Sequence, residues 1–119
     1  MTLGIQMDPG MADRRIGVIG DVHAENRRLE TAIAFLTTQG VDSILCTGDI
    51  VDGVGNPDKC IDLLTKHNIR VVQGNHDRWC LEEKARHVPN AHLRANLDRN
   101  SIEYLTQLPK QLAINTIAG

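Results

Sequence analysis

The stretch Ile16-Gly17-Val18-Ile19-Gly20-Asp21-Val22-His23 decides the fold. A short apolar run bounded by glycine reads as a buried strand, and this one ends on a carboxylate and an imidazole. Downstream, Leu29, Ile33 and Leu36, with Ala32 beside them, recur at helical spacing and predict a helix from about Ala24 to Thr38, stopped at Gly40. A second strand follows, Ser43-Ile44-Leu45-Cys46-Thr47, which runs into Gly48-Asp49-Ile50-Val51-Asp52. Gly53, Gly55 and Asn56-Pro57 mark a turn in which Asn56 caps and Pro57 opens a helix. Cys60, Ile61 and Leu64 line the inner face of that helix, which ends near Asn68; Ile69 to Val72 is a third strand leading into Gly74-Asn75-His76-Asp77. Strand, helix, strand, helix, strand with short links is an α/β pattern, a parallel β-α-β-α-β sheet with right-handed crossovers.

Outside this core the pattern weakens. Residues 1–13 mix Gly, Pro and three methionines without periodicity and read as a flexible leader, which leaves 14–119 as one domain. Leu81 to Val88 has the composition of a charged surface helix. Ile102, Tyr104, Leu105 and Leu108 suggest another short helix closed by Pro109, and Leu112 to Ile117 has the apolar content of a strand. Phe35 and Trp79 are expected in or near the core.

The 119 residues suit one domain with a modest core. A formal charge of -2 with scattered basic residues argues against a general nucleic-acid surface, although a nuclease holding its substrate through metal and a few arginines stays open. Cys46, Cys60 and Cys80 are odd in number and lack C-x-x-C spacing, so they read as buried thiols in a reducing compartment. No stretch approaches the ~20 apolar residues of a membrane span, and no export signal is evident. The expected location is the cytoplasm.

Functional groups of a parallel sheet gather outside the carboxyl ends of its strands. Here those ends carry Asp21-Val22-His23, Gly48-Asp49-Ile50-Val51-Asp52 and Gly74-Asn75-His76-Asp77. Asp21 and Asp49 are 28 positions apart and Asp49 and Asn75 are 26 apart, one βα unit each, so the fold brings the clusters to one edge. Asp21 and His23, two apart in an extended segment, leave the same face and can reach one ion. A carboxylate with an imidazole suits Zn, Mn or Fe better than Ca. Asp49 can bridge to a second ion about 3.5–4 Å from the first. Asn75 offers a neutral amide oxygen, His76 can give a proton to a departing alkoxide, and Asp77 can orient the His76 ring. Arg78 is a candidate phosphate contact. His67 sits near a helix C-terminus; His87 and His92 read first as surface residues, though either can enter the site on a loop. The glycines at 20, 48 and 74 give backbone freedom at the strand ends. No G-x-G-x-x-G or G-K-[ST] occurs, which disfavours a plain nucleotide-binding domain.

The three motifs resemble those of the calcineurin-like metallophosphoesterase family: D-x-H as Asp21-Val22-His23, G-D-x-x-D as Gly48 to Asp52, and G-N-H-D as Gly74 to Asp77. The resemblance covers about Arg15 to Ile117. It implies the N-terminal half of a four-layer α/β/β/α sandwich and hydrolysis of a phosphomonoester or phosphodiester by a metal-activated water at a binuclear site. It also implies two divalent ions, Mn foremost with Fe, Zn or Ni as alternatives, and a small phosphoester or nucleotide as substrate. Asp21, His23 and Asp49 would hold one ion, Asp49 and Asn75 the other, and His76 with Asp77 would assist at the phosphoryl group, where Asn75 and Arg78 would contact substrate. Gly53 in place of arginine after Asp52, and Asp77 in place of glutamate, move the reading from protein phosphatases toward phosphodiesterase or nucleotidase-like branches. The family's later G-H-x-H motif does not occur in these residues. The alternative is therefore a catalytically incomplete half-domain that binds a partner or dimerises through an uncovered sheet face.

Overall fold

A computed structural model describes residues 12–119. Its order is β1 (Ile16–Ile19), α1 (Asn26–Thr38), β2 (Ser43–Cys46), α2 (Pro57–Lys66), β3 (Arg70–Val71), α3 (Asn75–Glu82), a 3-10 turn (Arg94–Asn96) and α4 (Arg99–Gln107). The strands form one parallel sheet in the order β1-β2-β3. Ile16 stands opposite Ser43 and Ile19 opposite Cys46, while Leu45 and Cys46 face Arg70 and Val71. The sheet and its two crossover helices follow the expected α/β pattern. The third strand is shorter than its apolar run, because only Arg70 and Val71 keep ladder geometry before the chain turns into α3.

α1 packs against α2, and α4 packs against both α2 and α3. Leu29 and Ile33 of α1, Cys60, Ile61 and Leu64 of α2, Cys46, Val71, Cys80, Leu97 and Leu105 form one buried cluster. β1 lies close on α1, since a Cβ at Gly17 would stand 2.9 Å from a Leu36 methyl. Asn56 caps α2 as expected, its side chain accepting the Lys59 N–H at 3.1 Å, with Pro57 at the first helical position.

Three expectations need correcting. Phe35 is 60% exposed; it lies roughly 200° around the helix from Ile33 and so points away from the packed stripe. The charged helix expected over Leu81 to Val88 is instead the tail of α3, which starts at Asn75 and stops where Glu83 turns left-handed at φ 57. Leu112 to Ile117 is not a strand: among the described residues its one ladder contact is a parallel bridge from Thr116 to Asp13. The proposed leader lies outside the described residues except for its last two, of which Asp13 is buried, makes that bridge and accepts the Ser43 hydroxyl.

Candidate functional site

After β1 and after β2 the chain makes the same move. Asp21 and Asp49 both adopt left-handed backbone at φ 52, followed by His23 at 42, Ala24 at 62 and Asp52 at 70. Asp and His tolerate this region better than most residues. Ala24 does not, and a left-handed alanine costs roughly 1–2 kcal/mol. The cost is offset by contacts between the two loops: the His23 N–H donates to the Asp49 carbonyl and the Ala24 N–H to the Ile50 carbonyl, both at 2.7 Å. Gly53 belongs to the same junction, where a Cβ would overlap the His23 carbonyl oxygen. Gly48 combines φ +89 with a Cβ position blocked by the Val72 carbonyl. Gly20 has neither feature, so the freedom expected there is not used.

The loops bring Asp21, His23 and Asp49 together, with one ligand atom from each lying within 4.8 Å of the others. Asp21 is exposed and the other two are half-buried. The His23 Nδ1 stands 3.0 Å from the Val51 carbonyl. A carbonyl can only accept, so Nδ1 carries the proton and Nε2 keeps its lone pair for a cation. Asp49 Oδ1 accepts the His76 N–H at 3.0 Å. The terminal amide of Asn75 lies against the same carboxylate, 3.0 Å from Oδ1 and 3.3 Å from Oδ2 when its nitrogen is turned that way. Two carboxylates, an imidazole with a free nitrogen and a neutral amide form a donor set that fits a divalent transition metal.

Asp77 does not orient His76. It is fully buried, and its two oxygens accept the N–H groups of Asp49, Ile50, Val51 and Gly74 at 2.8–3.3 Å. Burial pushes its pKa above the usual carboxylate value against the pull of those donors. Asp77 is thus the clasp that ties the second loop to the start of α3. The His76 ring is held instead by Asp52, whose Oδ2 accepts from His76 Nδ1 at 2.8 Å. Burial acts to raise the Asp52 pKa, but the Arg86 guanidinium, the His92 N–H and His76 outweigh it and hold the carboxyl below its ordinary value. The His76 ring stands 4.8 Å from the His23 ring, edge to face, and 4.9 Å from half-buried Trp79.

Sequence reading assigns no role to Asp52 or Arg86, while His92 is one of the two histidines it allows to enter the site on a loop, and it does so. His92 is not a loose surface residue: its Nδ1 accepts the Asp52 N–H at 2.9 Å, while His87 is exposed as expected. Arg78 is exposed on α3. Cys46, Cys60 and Cys80 are free and buried, and desolvation pushes the Cys46 thiol up to about 11.

Residues 14–116 match the calcineurin-like phosphoesterase family. The chain belongs to that family. Among its relatives, an uncharacterized protein of Methanocaldococcus jannaschii is 36% identical over 75 residues, 63% of this chain and 31% of that protein. The crystal structure of a metallophosphoesterase from Sphaerobacter thermophilus superposes with a TM-score of 0.63 at 33% identity, covering 83% of this chain and 43% of that one. A structure described as "a putative diadenosine tetraphosphatase" gives 0.66 at 29% identity, covering 80% and 43%. The chain therefore spans less than half the length of each of these three relatives. Among the described residues, no helix is long and apolar enough to cross a membrane.

Proposed function

We propose that this chain supplies the metal-holding edge of a phosphoesterase site. The observation that carries the reading is the convergence of Asp21, His23 and Asp49 to within 4.8 Å at the ends of two parallel strands. In this reading Asp21, His23 and Asp49 hold one divalent ion, and Asp49 with Asn75 holds a second, Mn being the first choice. The chemistry such ions supply when bound is Lewis-acid polarisation of the phosphoryl oxygens and activation of water. His76, its Nδ1–H committed to Asp52, has Nε2 left to take up a proton and, as the doubly protonated ring, hand it to the leaving oxygen. Asn75 orients a phosphoryl oxygen without adding negative charge, and exposed Arg78 contacts a further phosphate oxygen. The description of one structural relative as "a putative diadenosine tetraphosphatase" supports a nucleotide-like phosphoester as substrate. Three free, buried thiols favour a reducing compartment such as the cytoplasm.

The test is hydrolysis of bis(4-nitrophenyl) phosphate with and without Mn2+. Hydrolysis that needs Mn2+ and is lost in Asp49→Asn supports the reading. Equal rates in the variant, or none with any divalent ion, defeat it. One observation favours the second reading: Val18, inside β1, is 62% exposed, so part of this sheet face is open to a partner or a second copy. Sedimentation showing a monomer at all concentrations would remove that reading.

A further inference from the structure

Arg86 lies in no motif and 34 positions from Asp52, yet its guanidinium makes four hydrogen bonds beside the site. Nη1 and Nη2 reach the two oxygens of Asp52 at 2.8 and 2.9 Å, a fork-to-fork pair of the kind that fixes the plane of a carboxylate. Nη1 also donates to the His92 carbonyl at 2.9 Å and Nε to the Lys84 carbonyl at 2.8 Å, so the guanidinium is itself held from behind. Its side chain is 13% exposed and that of Asp52 is 1% exposed. The segment after α3 brings it there through two left-handed residues, Glu83 at φ 57 and Ala85 at φ 51.

The consequence reaches His76. With Oδ1 taken by Arg86 Nη1 and the His92 N–H, and Oδ2 by Arg86 Nη2, Asp52 cannot turn about its terminal torsion. Oδ2 then presents one remaining acceptor direction, and His76 Nδ1 occupies it at 2.8 Å. We infer that Arg86 is a positioning residue for His76: its fork locks Asp52, and the locked Asp52 fixes the ring's tautomer and plane, leaving Nε2 as the working nitrogen. The chain of contacts stands on its own geometry; only the effect on turnover rests on the phosphoesterase reading above. An arginine that merely braced the loop after α3 would use its bonds to Lys84 and His92 alone and would leave the state of His76 unchanged.

The test uses Arg86→Lys, which keeps the cation but not the fork, beside Arg86→Ala, in the full chain. Long-range 1H–15N spectra of the histidine rings are expected to show a single His76 tautomer, protonated at Nδ1, in the wild type and a mixture in both variants. With Mn2+ and bis(4-nitrophenyl) phosphate, kcat is expected to fall about 10- to 100-fold with KM and bound Mn2+ unchanged. Added guanidinium is expected to restore part of the loss in Arg86→Ala. An Arg86→Lys protein with the wild-type tautomer and wild-type kcat overturns the inference, as does a loss of kcat that lost Mn2+ or lost folded protein accounts for. If Arg86→Ala does not fold, the lysine variant decides. A wild type without hydrolysis defeats the phosphoesterase reading alone, because the ring spectra test Arg86 without metal or substrate.

Discussion

Two buried aspartates, 25 positions apart, divide the labour at the site. Asp77 accepts the N–H groups of Asp49, Ile50, Val51 and Gly74, and an asparagine has only one acceptor oxygen for them. Asp77→Asn is therefore expected to destabilise the protein by about 1–3 kcal/mol for each N–H left unpaired, partly offset by the loss of a buried charge. Urea unfolding measures this, and a variant as stable as wild type would contradict the clasp. Asp52 is the opposite case in its pH behaviour. Its folded pKa is depressed, so its contribution is fully present above the unfolded value of about 3.9 and lost as pH falls through the lower folded value. The stability advantage of wild type over Asp52→Asn should shrink as pH falls from about 6 to about 3. An advantage independent of pH over that window would remove the charge-based account. Asp77, raised by burial, works with the reverse sign: its share is present below the unfolded value and lost as pH rises through the folded one.

At the scale of elements, α2 is the best-specified helix of the chain. Asn56 caps it, Pro57 starts it, and Asp58 in its first turn accepts the Ser101 hydroxyl and the Asp98 N–H, joining it to the start of α4. Asn56→Ala should cost about 1 kcal/mol, read from the shift in urea midpoint at constant m-value. No change would mean that the α2–α4 contact alone holds that end. α3 was less legible because its start coincides with the third motif. Gly74-Asn75-His76-Asp77 has turn-forming composition, yet Gly74 is the N-cap, and the Asp77 carboxylate reaches back to the Gly74 N–H at 3.0 Å. The same residues are strand end, helix start and site wall.

At the scale of the whole molecule, two parallel crossovers set the loops after β1 and β2 side by side, with the start of α3 against them, and the donor set is a product of that assembly. Mn2+ should therefore raise Tm, by the equivalent of about 2.7 kcal/mol at a hundredfold excess over Kd, and EDTA should reverse it. Asp49→Asn should abolish the shift; a shift of equal size in that variant would place the ion elsewhere. The sequence by itself determined the order of strands and helices, the three strand-end clusters and the kind of chemistry they suit. Apolar runs, glycine boundaries and the 28- and 26-residue spacings are patterns short enough to read along the chain. Only the tertiary structure decided which aspartate serves His76, that Asp77 is a clasp, and that Arg86 and His92 belong to the site. Those assignments depend on hydrogen bonds spanning 24 to 40 positions, made by loops whose left-handed residues no local pattern specifies.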